Sequence, residues 1–266
     1  MYRSSNNKNS FISNTLMKYI TMCLLLCVTL YGIRTTMKEQ RVITTSFFAS
    51  ELPIYCVETK EPTVALTFDS AWGTEDLAEI LSILKKHNAP STFFVTGEWA
   101  AKNPDAILSI DSAGHEIANH GNSHKHMPQI SSEEMISEIT GCHDKIKELT
   151  GKDMTLFRAP YSDWNDEVVS VAHSLGYMSI NQSVDSLDWK DYGADSIIRT
   201  VCEHKNLENG SIILLHNGSK YTKDALDTIL TRLEQQGYTF IKVSDLIYTE
   251  NYTLDHTGKQ YFQKNE

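Results

Sequence analysis

A chain of 266 residues with 34 acidic and 24 basic side chains carries a net charge of −10, which argues against a nucleic-acid partner, since such proteins present a basic patch. The apolar fraction of 41% is ordinary for a globular protein, so a sizeable core is expected. The length suits one large domain with a short extra segment, or two small domains.

The N-terminus carries targeting information. Arg3, Lys8 and Lys18 precede an apolar run from Tyr19 to Ile33, and Arg34 follows it directly. A positive region before a hydrophobic one is the pattern of an export signal. Bulky Leu24, Leu25 and Leu26 give neither a small-x-small cleavage site nor a lipid-attachment context before Cys27. The favoured reading is an uncleaved, single-pass signal anchor at residues 19–35, with a cytoplasmic basic tail at 1–18 and the remainder outside the cell membrane. A cleaved signal peptide, leaving a secreted protein, is the close alternative. A buried helix of the soluble domain is the third.

The five cysteines are Cys23, Cys27, Cys56, Cys142 and Cys202, and no two form a Cys-x-x-Cys pair. The odd count fits no complete disulfide framework, and the last three read most simply as small buried hydrophobes. A disulfide among them stays open for a domain outside the cell.

Residues 36–61 read as a polar linker with a lead-in strand. Beyond them the chain alternates. Val64–Phe68 is an apolar run that reads as a buried strand. Leu77, Ile80, Leu81 and Leu84 mark an amphipathic helix that stops before Pro90. Thr92–Thr96 is a strand, residues 97–110 are helical, and His115–Ala118 is a strand. Ser131 and Glu134 have capping-box spacing and open a helix with Met135, Ile139, Cys142 and Ile146 on one face, ended by Gly151. Thr155–Arg158 is strand-like, and Asn165 caps a helix that runs to Gly176. Short strands at Tyr177–Ile180 and Ser183–Asp185 precede a helix over 196–204. Ser211–Leu215 is the clearest buried strand. A helix over 224–236 ends at Gly237, Thr239–Val243 is the last strand, and residues 251–266 form a polar tail. Repeated β-α alternation predicts a parallel sheet, either a β/α barrel or a doubly wound open sheet. In both, function collects at the carboxyl ends of the strands.

Residues that can do chemistry keep that phase. Asp69 follows the first strand, His120 the third, Arg158 ends the fourth, Asp185 and Asp188 follow a later one, and His216 follows Leu214-Leu215. His120 and His124 lie four apart. On a helical turn both rings would share one face and could reach one metal ion, for which imidazole nitrogen suits zinc. Two surface histidines in a polar loop are the plain alternative.

Five motifs run in order over residues 62–250: Thr67-Phe68-Asp69-Ser70, His120 to His124, Arg158-Ala159-Pro160-Tyr161, Asp185 to Trp189, and Leu214-Leu215-His216. Together they resemble the polysaccharide deacetylases with the NodB-homology domain, carbohydrate esterase family 4. Ala71-Trp72-Gly73 and Ile54-Tyr55-Cys56-Val57 look like the subgroup of spore-forming bacteria. The resemblance implies a distorted (β/α) barrel of fewer than eight strands over 62–250. It implies a hydrolase that removes acetyl groups from an N-acetylated cell-wall polysaccharide, peptidoglycan or a chitin-like glycan, acting as a monomer. It implies Asp69 as general base, His216 as general acid, Arg158 as the cation that orients Asp69, and Asp188 as the carboxylate that supports His216. The backbone N–H of Tyr161 would bind the oxyanion, while Trp189 and Leu214 would line the pocket for the acetyl methyl group, simple core packing being nearly as good a reading of those two. His120 and His124 would hold a divalent metal, zinc by preference.

The chain departs from that pattern. Ser70 stands where the family has a second, metal-binding aspartate, so the third ligand is left open between water, substrate oxygen and a shifted Asp69, and the ion would be weakly held. Gly121, Ser162 and Gln182 replace a usual Ser or Thr, a common Gly and a frequent Trp. An inactive, glycan-binding pseudoenzyme on the same fold is therefore the competing expectation. No His-Glu-x-x-His stretch supports another class of metal hydrolase.

Overall fold

The computed structural model describes Met22 and residues 52–264. The expected membrane segment, its basic tail, most of the linker, Cys23 and Cys27 lie outside the described residues. Among the described residues, no helix is long and apolar enough to cross a membrane.

Eleven strands and eight α-helices are described. β1 is Cys56–Val57, β2 Thr63–Ser70, β3 Thr92–Val95, β4 Glu116–Asn119, β5 Leu156–Phe157 and β6 Met178–Ser179. β7 is Val184–Asp185, β8 Ile212–His216, β9 Thr239–Phe240, β10 Tyr252–Leu254 and β11 Lys259–Phe262. The helices are α1 Leu77–Lys86, α2 Gly97–Lys102, α3 Pro104–Ser112 and α4 Ser132–Thr150, then α5 Asp166–Ser174, α6 Ala194–Cys202, α7 Thr222–Gln235 and α8 Val243–Leu246.

The main sheet runs β6-β5-β4-β3-β2-β8-β7, with β9 added to β2, and every pairing is parallel. Its two edges, β6 and β7, are joined by residues 180–183 alone. The five residue steps from Ser179 to Val184 reach at most about 18 Å even when fully extended, less than the width of a flat seven-stranded sheet, so the sheet must curl until its edges approach. Ser183 N–H donates to Ile212 and Asn181 N–H to Ile54, which ties the link to both sides. This excludes the doubly wound open sheet and gives the distorted barrel.

β2 sits at the centre because both of its edges pair, with β3 and with β8, and it reads as a buried apolar run. Its alternation sorts two cores. Val64, Leu66 and Phe68 pack with the helices, among them Leu77, Ile80 and Leu84 of α1. Ala65 faces the barrel interior with Phe94, Ala118 and Ile212. Each fully buried Leu, Ile or Phe contributes about 1.5–3 kcal/mol. Thr67 and Asp69 continue the interior phase, which places Asp69 at the barrel mouth.

Local signals explain most boundaries. Ser131 accepts from Glu134 N–H and Asn165 from Val168 N–H, satisfying two helix starts. Gly151, at φ 72°, ends α4 in the left-handed conformation expected of a stop glycine. Three expectations need correction. The helical stretch after β3 is two helices, because Pro104 opens a new one behind Asn103. The last strand of the sheet stops at Phe240, and Val243 begins α8. Residues 252–262, read as part of a polar tail, pair as β10 and β11 and join β1 in a small separate sheet, with Gln260 buried. Cys56, Cys142 and Cys202 are buried and free, as small hydrophobes would be.

Candidate active site

Register brings the candidate acid and base together. Asp69 and His216 are directly paired positions on β2 and β8, at the carboxyl end of both strands. Asp69 is buried, and its Oδ1 accepts from the Arg158 guanidinium at 2.7 Å. Arg158 is itself buried, donating also to Thr67 Oγ1 at 2.9 Å and to the Asn181 carbonyl at 3.2 Å, with its guanidinium 4.1 Å over the Phe94 ring. Burial pushes the Asp69 carboxyl up. The Arg158 guanidinium first, with the neighbouring imidazoles adding less, outweighs it and holds the carboxyl below its usual range. Asp69 is therefore ionised at neutral pH and cannot swing away.

His216 has the opposite balance. Burial pushes its pKa down, but the hydrogen bond and charge of Asp188, with Asp69 beyond, raise it above the ordinary histidine value. Asp188 is fully buried and triply engaged. Oδ1 lies 2.7 Å from His216 Nδ1, while Oδ2 accepts from His216 N–H at 2.8 Å and from Thr222 Oγ1 at 2.6 Å. Thr222 was not legible beforehand, because it lies at the start of α7 with no motif around it. Asp185 is structural: its Oδ1 accepts from Leu187 N–H at 2.9 Å and shapes the turn. The sign gives a test. An acid must hold its proton, so a raised His216 pKa extends its working range to higher pH. Asp188→Asn removes the largest raising contribution and leaves burial opposed only by the weaker charges of Asp69 and Asp185, so the midpoint of the His216 ring titration, followed by proton NMR, should fall. An unchanged midpoint would remove Asp188 from this role.

The histidine pair meets by a route other than the expected helical turn. Residues 121–126 form a loop with Gly121 at φ 74° and His124 at φ 59°, and the two imidazoles lie 5.1 Å apart centre to centre. The loop is held by Glu138, a buried acid on α4 missed by sequence reasoning. Its carboxylate accepts from Asn122 N–H at 2.9 Å, Ser123 N–H at 2.7 Å and Ser123 Oγ at 2.6 Å. A lone acid on the apolar face of Met135, Ile139 and Cys142 was the available signal. His120 Nδ1 is 2.8 Å from the Arg158 carbonyl, which can only accept, so the ring is protonated there and its Nε2 lone pair is left 3.5 Å from Asp69 Oδ2. Burial keeps both histidines neutral and pushes His124 down to about 4. Neutral imidazoles are the form that binds metal.

The remainder of the donor set does not fit a catalytic zinc. Such sites use three protein ligands. Ser70 is buried with its Oγ in no hydrogen bond, a neutral hydroxyl where the resemblance calls for a carboxylate. Among the described residues, no three His, Cys, Asp or Glu are grouped to hold a metal ion.

The loop after β5 brings Tyr161 and Ser162, both non-glycine, to φ 61° and 53°. Two such residues cost on the order of 1–3 kcal/mol each and persist where surroundings fix them. The Tyr161 ring lies 4.4 Å from His124 and is stacked on His126 at 4.0 Å, with His126 Nδ1 2.8 Å from Asp163 Oδ2. Tyr161 and Trp189 are exposed, whereas Leu214 is buried on the His216 side of β8. Core packing is thereby ruled out for Trp189.

With this geometry in hand, similarity to known proteins can be placed on it. The polysaccharide deacetylase family profile matches residues 57–180. Peptidoglycan-N-acetylmuramic acid deacetylase PdaA of Bacillus subtilis is 32% identical over 208 residues, covering 75% of this chain and 77% of PdaA. The chain belongs to the polysaccharide deacetylase family. Within that family, the wild-type crystal structure of BA3943, described as a carbohydrate esterase 4 pseudoenzyme from Bacillus anthracis, superposes with a TM-score of 0.71 at 31% identity, over 82% of this chain and 74% of that one. A BA3943 mutant described as having restored enzymatic activity superposes equally, with 0.71 at 35% identity over 74% of this chain and 72% of that one. Family membership and a neutral hydroxyl at Ser70 thus stand side by side.

Proposed function

We propose that this polysaccharide deacetylase removes acetyl groups from N-acetylated peptidoglycan. The observation that carries the reading is the coexistence of an ionised Asp69 and a proton-bearing His216 on paired strand ends, each fixed by its own buried counter-charge. Two groups whose surroundings drive their pKa values apart are a base and an acid. Asp69 takes a proton from the attacking water as its oxygen bonds to the acetyl carbon. The backbone N–H of Tyr161 receives the developing oxyanion. His216 gives its proton to the sugar nitrogen as the C–N bond breaks, which leaves acetate and a free amine. Trp189 and Leu214 flank the acetyl methyl group.

A second reading, a glycan-binding pseudoenzyme, is favoured by Ser70 and by the likeness to BA3943. Acetate release from purified peptidoglycan, with the full-length protein and added zinc or cobalt, separates the two. Release above background supports the deacetylase, and its absence under both metals leaves the pseudoenzyme. The apolar run at 19–33 further supports a membrane-anchored domain acting outside the cell. An intact N-terminal mass for the native protein agrees with an anchor, and a start after Ile33 means a cleaved signal peptide.

A further inference from the structure

Trp72 stands in the loop after Asp69 and Ser70, and no step above uses it. Its indole is stacked on the His216 ring, with centroids 5.9 Å apart and planes 16° from parallel, and it meets His124 edge-on at 5.6 Å. It remains 43% exposed. The loop that carries it is fixed. The Gly73 carbonyl accepts from Trp99 Nε1 at 2.9 Å and from Asn217 Nδ2 at 3.0 Å. Gly218 lets the loop press against the end of β8, because a Cβ there would come within 2.7 Å of the Trp72 carbonyl and 3.2 Å of its ring. Held half in water beside His216, the indole presents a flat apolar face at the mouth of the site.

Trp72 also walls a cavity of about 270 Å³ that opens between its loop, α2 and the His124 loop, with Thr96, Trp99, Asn103 and Ser123 in the lining. That is below the roughly 300–1,000 Å³ of pockets for drug-sized ligands, so it suits one ring and no more. Two charged side chains line it, Glu98 and Lys102, and they are 4.0 Å apart and offset one another. The cavity thus offers an aromatic face, hydroxyl and amide groups, and no net charge.

Resting on the deacetylase reading of the neighbouring site, we propose that Trp72 is a specificity-determining residue: it stacks on the apolar face of an uncharged pyranose that adjoins the sugar being deacetylated. Stacking of this kind is worth about three- to tenfold in affinity.

Calorimetric titration of the full-length protein with the tetramer of N-acetylglucosamine tests it, with Trp72→Ala and Trp72→Phe compared and thermal melting used to verify that each is folded. Trp72→Ala should weaken tetramer binding about three- to tenfold, and Trp72→Phe should recover most of the loss. Unchanged binding by Trp72→Ala, or a loss in Trp72→Phe as large as in Trp72→Ala, overturns the stacking proposal and leaves the deacetylase reading intact. No binding of the tetramer by the wild type overturns this subsite, whereas the deacetylase reading falls only if peptidoglycan also releases no acetate.

Discussion

Asp69→Asn is expected to lower acetate release by about 10²–10⁴, the usual contribution of a positioned proton-transfer group. The substitution keeps the shape of the side chain and the oxygen that Arg158 approaches, but it removes the basicity. It also has a structural consequence. Arg158 is buried at 1% exposure and loses the carboxylate it pairs with, though it keeps its bonds to Thr67 and Asn181. Breaking a buried ion pair on one side typically costs about 3–5 kcal/mol. A folded protein with a lower but still cooperative melting transition is therefore expected. Acetate assays run well below that transition separate the two effects. Near-wild-type release from a folded Asp69→Asn protein would take Asp69 out of the mechanism.

Much of this site was legible because chemistry sits at strand ends, and strand ends are marked by apolar runs. Val64–Phe68 announced Asp69, and Ser211–Leu215 announced His216. Closure of the sheet was hidden, since it depends on residues 180–183 joining strands at opposite edges, and no local pattern carries that. The histidine pair was found for an incomplete reason: spacing of four suggested a helical face, whereas a loop with left-handed Gly121 and His124 brings the rings together. Glu138 and Thr222 were missed because each acts from a helix remote in sequence, on residues whose own motifs say nothing of their supports. The β10–β11 pairing escaped because Lys259–Phe262 is short and polar, and its partner β1 lies some 200 residues earlier, as the Cys56–Lys259 register shows.

Ser70→Asp is expected to tighten zinc binding by at least about 10–100-fold, the range that losing even an outer partner of a metal ligand costs. Two neutral imidazoles supply nitrogen, and an anionic oxygen is what the cation lacks. The same change should destabilise the metal-free protein. Position 70 is fully buried and adjoins Asp69, so a second carboxylate there meets both desolvation and like-charge repulsion. Zinc should reverse that loss, raising the melting temperature of Ser70→Asp more than that of wild type. Calorimetry of zinc into wild type, Ser70→Asp and His120→Ala reads the affinities directly. Equal affinity in wild type and Ser70→Asp would mean that another residue already supplies the third ligand. Unchanged affinity in His120→Ala would mean that the histidine pair is not the metal site.

The central claim is that a complete acid–base pair operates beside a metal site short of one carboxylate. It is tested most directly by the rate of acetate release from one peptidoglycan preparation as zinc is raised, for wild type and Ser70→Asp. The account predicts release from both, with Ser70→Asp reaching half of its own maximum at a far lower zinc concentration, whatever the two maxima are. Superimposable zinc curves, or no acetate from the wild type at any zinc concentration, would contradict it.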